Sequence, residues 1–327
     1  MTEGDGSIIS FIDMGTNSVR LMIVRIFPDG SHTILSRQKE MIRLGSGEFD
    51  RGYILQEAMD KAVTVCRHFV EMSASFHAQE IVAVATSATR DARNRKELID
   101  RLRDEAGLNI KVISGGEEAR LIYLGMIGGM NLNGRAFFID IGGGSTEVIV
   151  GNEHGYEYLD SLKLGAIRLT TLYFPDQDGP VPMKKYHEVQ EYVRNATVLS
   201  MKRIREYPFS RAFGCSGTIQ SLAEIASHVF HGRDPKRLGL LSLEDLKAVA
   251  GLLCSKSLVE RKALPGMNPR RADIIIGGAV ILDTVMTELK IEKLGISAHE
   301  LRDGLLLDYL HRMKHPGVDE LSVRHKS

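Results

Sequence analysis

A chain of 327 residues, 43% of them hydrophobic, is long enough for two domains of ordinary size, each with its own core. Lysine plus arginine equals aspartate plus glutamate at 42 each, so no overall field draws the protein to nucleic acid or to a membrane, although local cations can still hold a polyanion. Cys66, Cys215 and Cys254 are scattered, odd in number and lack a C-x-x-C, which fits a reducing cytosol and argues against a disulfide framework or structural zinc.

Met1–Ser10 is polar and acidic, unlike a signal peptide, and no apolar run is long enough to span a bilayer. A cytoplasmic protein is expected. Residues 7–26 read as strand, tight turn, strand, and 32–40 as a third strand after the turn Pro28-Asp29-Gly30. Apolar spacing predicts a helix over 54–78, followed by a buried strand over 80–85. Thr86-Ser87-Ala88-Thr89-Arg90 then opens a helix. A helix start after a strand suits an anion; the alternative is plain capping by Thr86 or Ser87, with Arg90 on a solvated face. Residues 96–106 read as a helix and 110–113 as a short strand. Ser114 and Glu117 have capping-box spacing. That assigns Glu117 to the Ser114 N–H and leaves Glu118 free at a helix start, either for catalysis or simply complementing the helix dipole.

Residues 125–134 are glycine-rich and read as a crossing between halves. The stretch Phe138-Ile139-Asp140-Ile141-Gly142-Gly143-Gly144-Ser145-Thr146-Glu147 follows. It is a hairpin whose turn lacks side chains, so its N–H groups can close on an anion, and it carries an acid on each side. Phosphate needs N–H donors, and a metal that neutralises phosphate needs carboxylates. Phe11-Ile12-Asp13-Met14-Gly15-Thr16-Asn17-Ser18-Val19-Arg20 aligns with it without gaps, Asp13 on Asp140, Ser18 on Ser145 and Arg20 on Glu147. Two such hairpins, each opening its own half, predict a duplicated α/β unit with a cleft between the copies. Asp13, Asp140 and Glu147 are the candidate metal carboxylates.

Residues 156–169 read as a third strand and turn, with Lys163 and Arg168 as surface cations or phosphate contacts. A helix is predicted over 184–206. Phe213-Gly214-Cys215-Ser216-Gly217-Thr218 reads as a third phosphate or nucleotide turn between strand and helix, with Cys215 as apolar filler. Residues 228–239 read as a polar loop, 242–256 as a helix capped by Ser242, and 274–289 as an apolar helix whose Gly277 and Gly278 allow close contact. A last strand over 294–297 and a last helix over 300–311 precede a tail, 316–327, that reads as disordered. The eleven histidines show no metal-ligand spacing.

The stretches 11–24, 86–94, 113–124, 138–151 and 213–218, in this order, resemble the exopolyphosphatase / guanosine pentaphosphate phosphohydrolase (Ppx/GppA) family over nearly the whole chain. The family pattern D-x-G-[ST]-N-[ST]-x-[KR] is met by Asp13–Arg20, A-T-x-A-x-R-x-A-x-N by Ala85–Asn94, S-G-x-E-E-A by Ser114–Ala119 and D-I-G-G-G-S-T-E by Asp140–Glu147. The resemblance implies a duplicated actin-like, ribonuclease H-like ATPase fold of the sugar-kinase, actin and heat-shock-chaperone superfamily. Its lobes would be 1–127 and 128–327, with the C-terminal helix (about 299–315) packing back on the first. It also implies a metal-dependent hydrolase that releases terminal phosphate from inorganic polyphosphate with Mg2+ or Mn2+. Glu118 resembles the general base and Glu147 the partner carboxylate that holds water and metal; Asp140 is similar to a metal-site acid. Gly142, Gly143, Gly144, Ser145 and Thr146 resemble the main phosphate loop. Asn17, Ser18 and Arg90 resemble phosphate contacts across the cleft, while Ser216, Gly217 and Thr218 match the superfamily's nucleotide position. Homodimerisation and closure of the halves on substrate are further implications.

Many longer family members carry a C-terminal helical domain, and this chain ends about where it would begin. That shifts the expectation toward short polyphosphate or a 5′-triphosphate end. Guanosine pentaphosphate is the alternative substrate. An acceptor-specific kinase or ATPase is a third reading, motivated by the turn at 214–218 and opposed by Glu117-Glu118 after Ser114. A non-catalytic phosphate sensor is a fourth, opposed by the intact carboxylates.

Overall fold

The structure is a computed structural model that describes residues 6–315 apart from 46, 129, 131, 177 and 233–238, and only the backbone at 48 and 50. The tail over 316–327 and residues 233–238 lie outside the described residues, and the start of the expected polar loop is a π-helical turn, Ser227–His231. Two compact units divide the chain. One runs to Gly128 and takes in the segment from Leu301; the other comprises the residues between. The last helix thus belongs to the first unit.

In the first unit β1 (Ser7–Met14), β2 (Ser18–Ile26) and β3 (His32–Met41) form an antiparallel meander, and β4 (Glu80–Ala85) and β5 (Lys111–Val112) continue the sheet in parallel. α1 (Glu48–Arg51) and α2 (Gln56–Ser75) precede β4; α3 (Ser87–Asp91) and α4 (Arg95–Ala106) follow it; α5 (Gly115–Ile127) ends the continuous run. Alternation sends Ile12, Met14 and Leu21 to one face, where they join Met59 and Phe69 of α2 and Leu98 of α4 in one cluster. On the other face Phe11 meets Tyr309 of α12 (Leu301–Lys314) edge-on, ring centroids 5.6 Å apart.

α12 lies against α5 almost backbone to backbone. A Cβ on Gly304 would stand 1.8 Å from the carbonyl oxygen of Leu121. Beside that contact Arg120, only 5% exposed, donates to both carboxylate oxygens of Glu117 (2.8 Å each) and to Asp308 (3.0 Å). Burial opposes its charge, but the two carboxylates outweigh that and hold the guanidinium protonated.

The second unit repeats the plan. β6 (Ala136–Ile141), β7 (Thr146–Asn152) and β8 (Gly155–Leu162) form the meander, and β9 (Arg211–Cys215) and β11 (Lys293–Ile296) run parallel to β6. The strand orders are β3-β2-β1-β4-β5 and β8-β7-β6-β9-β11, the second extended by an edge strand β10 (Leu240–Ser242). This is the duplicated actin-like, ribonuclease H-like α/β fold. α6 (Ala166–Tyr173), α7 (Met183–Ile204), α8 (Gly217–Ala226), α9 (Leu243–Cys254), α10 (Leu258–Lys262) and α11 (Ile275–Glu288) complete the unit. Ser242 caps α9 by accepting from the Asp245 N–H at 3.0 Å. Gly277 and Gly278 admit neighbours as their sequence suggests: Cβ atoms there would lie 2.6 Å from the Ala166 carbonyl oxygen and 2.2 Å from the Thr218 methyl. Among the described residues no helix is long and apolar enough to cross a membrane.

The chain passes from the first unit to the second after Gly128, inside the glycine-rich stretch 125–134, although α5 runs on to Ile127 and Gly125 serves the tight contact with Gly304. One local reading is corrected. The segment after β8 is a helix, α6, rather than a turn; Lys163 and Gly165 just before it, and its length of only eight residues, hid it.

Gly304→Ala is expected to cost about 1–3 kcal/mol through overpacking, seen as a lower urea midpoint. Gly251→Ala serves as the control: its Cβ meets nothing within 4 Å in the middle of α9, so it should leave the midpoint unchanged or raise it.

Candidate active site

The two hairpin turns are built alike. The Gly15 N–H donates to the Ser18 carbonyl at 3.0 Å, and the Gly142 N–H to the Ser145 carbonyl at 3.0 Å. In the first turn the Thr16 carbonyl accepts from the Gly45 N–H (3.2 Å) and the Asn17 carbonyl from the Ile42 and Arg43 N–H groups (3.0 and 3.1 Å). In the second, the equivalent Gly143 carbonyl accepts from the Ile167 and Arg168 N–H groups (2.9 and 3.1 Å), and the Gly144 carbonyl from Arg168 Nε (2.8 Å). A trans peptide points its N–H opposite to its C=O. With those carbonyls drawn inward, the N–H groups of Asn17 and Ser18, and of Gly144 and Ser145, turn outward together. Successive outward N–H groups make an anion-binding concavity.

None of the glycines at 142–144 has positive φ, and a Cβ on Gly142 would stand 3.2 Å from the Ser145 carbonyl oxygen. The tightest approach is Gly165, where a Cβ would stand 2.3 Å from the Gly143 carbonyl oxygen and 2.5 Å from the Gly144 nitrogen. The start of α6 is therefore not an anion site. Its N–H groups are consumed in clamping the loop, and Arg168 clamps with them instead of lying on the surface. Thr146 is fully buried and its hydroxyl donates to the Leu164 carbonyl at 2.8 Å, which ties the same loop from the strand side.

Asp140 and Glu147 are cross-strand partners, as are Asp13 and Arg20. Glu147, 1% exposed, accepts from the Ser161 hydroxyl at 2.7 Å. Asp140 accepts from the Cys215 thiol, Sγ to Oδ2 2.9 Å, so Cys215 is a donor to the site and more than filler. Asp13 instead faces a cation, Arg20, at 3.7 Å. Sequence reasoning missed Ser161 and Cys215 as functional neighbours; the signal available was their register beside the two acids.

In the first unit Arg90 is neither solvated nor a bystander. Its guanidinium donates to Glu118 at 2.9 Å and to the Ile113 carbonyl at 3.1 Å, and Glu118 is 7% exposed. Glu118 is thus not free. Thr86 stands at the N-cap of the short α3 and makes no side-chain cap hydrogen bond. Only half of the predicted capping box forms: Ser114 Oγ accepts from the Glu117 N–H at 3.1 Å, but the Glu117 carboxylate turns to Arg120. Asn17 is buried, and neither atom of its side-chain amide has a hydrogen-bond partner among the described residues. A buried amide left so costs about 1–3 kcal/mol and asks for a ligand.

The third turn is strained. Ser216 caps α8 by accepting from the Ile219 N–H at 3.4 Å while its own φ is 93°, a conformation costing on the order of 1–3 kcal/mol outside glycine. Gly217 is seated on the buried Arg271 guanidinium, 2.3 Å from where its Cβ would lie, and Thr218 packs on Gly278. Arg271 had no signal in the sequence beyond its place before an apolar helix.

Paired sheets, each opened by a hairpin with outward N–H groups at its turn, define a protein of the duplicated actin-like class. The chain belongs to the Ppx/GppA phosphatase family, whose pattern matches residues 22–313. It is 29% identical over 301 residues to Exopolyphosphatase 1 of Mycobacterium leprae (strain TN), covering 91% of this chain and 88% of that protein. Its structure is similar to that of an exopolyphosphatase from Cytophaga hutchinsonii, with a TM-score of 0.85 and 29% identity over 93% of this chain and 98% of the other. The Aquifex aeolicus Ppx/GppA family member is also similar, with a TM-score of 0.77 and 26% identity over 94% and 99% of the two chains.

Gly165→Ala should push the 143–144 loop out of line and reduce phosphatase turnover by about 100-fold, the scale of a misplacement near 1 Å; steady-state kinetics beside a thermal melt check this. Burial pushes the Cys66 thiol up to about 12 and the Cys254 thiol up to about 11. At pH 8 neither should react with a thiol reagent in the folded protein, and both should react once it is unfolded.

Proposed function

We propose that the chain is a metal-dependent phosphoanhydride hydrolase that releases terminal orthophosphate from inorganic polyphosphate. The observation that carries this reading is the buried Glu118 held by Arg90 at 2.9 Å. It pairs the expected base with the expected phosphate ligand. The family, and the name exopolyphosphatase borne by two of the relatives above, support the choice of substrate.

The unit roles follow from the groups each presents. In the second unit the Gly144 and Ser145 N–H groups take equatorial oxygens of the terminal phosphoryl group, as preorganised donors do where charge spreads in phosphoryl transfer. In the first unit the Asn17 and Ser18 N–H groups and the Asn17 amide form that unit's own anion-binding set. Arriving phosphate competes with Glu118 for the Arg90 guanidinium. The released Glu118 oxygen then accepts the proton of the attacking water. Arg90 moves from one anion to another and keeps a partner throughout.

The donor set suits a hard cation. Asp140 and Glu147 offer oxygens side by side, and among the described residues no group of three His, Cys, Asp or Glu side chains converges. Two carboxylates plus substrate phosphate are what Mg2+ ordinarily takes. Asp140 and Glu147 would hold Mg2+ or Mn2+, which when bound neutralises phosphate charge; Asp13 is the corresponding acid of the first unit's hairpin. Guanosine pentaphosphate is a second reading, favoured by one observation: the strained turn at Ser216 beside the buried Arg271 lies where the resemblance puts a nucleotide.

Phosphate release from polyphosphates of several lengths, guanosine pentaphosphate and ATP, with Mg2+, is the test. Glu118→Gln should lower kcat by about 10²–10⁴-fold with little change in KM. Equal rates in the variant and the wild type would reject Glu118 as the base. Turnover of guanosine pentaphosphate alone would move the assignment to the second reading.

A further inference from the structure

The second sheet carries a row of four side chains that neither the turn nor the acids alone explain. Cys215 of β9 is in register with Asp140 of β6, Asp140 with Glu147 of β7, and Glu147 with Ser161 of β8. Residues in lateral register share one face of a sheet. The order across that face is donor, carboxylate, carboxylate, donor. Like charges directly opposite each other are unfavourable, and here each acid is held from its outer side by a neutral group: Cys215 Sγ on Asp140 Oδ2 at 2.9 Å, and Ser161 Oγ on Glu147 Oε1 at 2.7 Å.

The equivalent row of the first sheet is built otherwise. Asp13 has Arg20 beside it and Lys39 next along. There the acid's charge is balanced by cations on its own sheet. In the second row the two donors, a thiol and a hydroxyl, orient the carboxylates and add no positive charge of their own. Ser161 is itself fixed. Its N–H donates to Asp160 Oδ1 at 2.8 Å, and Asp160 Oδ2 accepts from Ser200 of α7 at 2.5 Å and from Tyr158 at 3.2 Å. Cys215 is fully buried at the end of its strand, where its rotamer is limited by packing.

We propose that Cys215 and Ser161 are positioning residues that hold Asp140 and Glu147 in the rotamers needed to bind a divalent cation, without neutralising them. The proposal rests on the reading above that this carboxylate pair takes the metal.

The test is Mn2+ binding to the metal-stripped full chain without substrate, followed by electron paramagnetic resonance, beside kcat and KM on polyphosphate and a thermal melt. Cys215→Ala and Ser161→Ala should each weaken Mn2+ binding by about 10–100-fold, as loss of a group that orients a metal ligand does, while the melting temperature stays within a few degrees. Saturating Mn2+ should recover most of the turnover. Cys215→Ser and Ser161→Thr, which keep a donor, should stay within about threefold of wild type. Asp140→Asn and Glu147→Gln separate the two levels. If they abolish Mn2+ binding while both alanine variants bind like wild type, the positioning role is overturned and the metal-site reading stands. If they too bind like wild type, the metal-site reading fails and the positioning role falls with it. Weakened binding in the alanine variants that the serine and threonine variants do not rescue would also overturn the proposal, since it would trace to packing.

Discussion

Once the carbonyls of Thr16 and Asn17 are taken by residues 42–45, and those of Gly143 and Gly144 by the start of α6, the peptide planes of both turns can no longer rotate. Each plane carries its N–H to the side opposite its bound carbonyl. Preorganisation of this kind matters because a donor that must reorient during the reaction stabilises charge less than one already aimed. The same constraint is met by unrelated means in the two units: a loop after β3 in one, a helix start and an arginine side chain in the other. What the duplication preserves is the carbonyl lock, more than the residues that apply it.

The lock in the second unit depends on glycines outside the turn. Gly165 lets α6 approach the loop, and Gly277 lets α11 press on Ala166 from behind. A Cβ at either place would lever the helix outward and slacken the loop. The hairpin rows diverge in the opposite sense. Asp13 and Asp140 occupy the same position, but Arg20 follows the first and Glu147 the second. The first row sets a cation beside its acid, whereas the second sets two acids side by side. Duplication supplied the geometry twice, and substitution at one register position separated the electrostatics.

Much of this was legible because it is local. The apolar run, turn, apolar run of each hairpin, the acid at the strand end, and the ungapped match of 11–20 to 138–147 are all carried within about ten residues. The pairing of the strands within each hairpin followed. What the sequence hid depends on partners distant along the chain. Glu117 has the spacing to cap Ser114, yet Arg120 wins its carboxylate because Asp308, 188 residues beyond Arg120, buries that guanidinium in an ion cluster. Cys215 looked inert among apolar neighbours; only parallel pairing of β9 with β6 sets its thiol on Asp140, 75 residues away in sequence. Arg168 looked like a surface cation because α6 itself went unread.

The pairing of Glu118 with Arg90 has a physical logic of its own on the proposed reading. A carboxylate 7% exposed cannot remain ionised alone without a large desolvation cost, and a guanidinium beside it offsets that cost. The pair is therefore stable while the site waits. It also withholds the base, because an oxygen engaged with Arg90 is a poor acceptor for a water proton. A phosphate group is the one arrival that changes both terms together. It offers Arg90 a more highly charged partner with bidentate geometry, and in doing so returns an oxygen of Glu118 to the water. The coupling needs no moving lid. It is an exchange of anions at one guanidinium, and it ties activation of water to the presence of something for that water to attack.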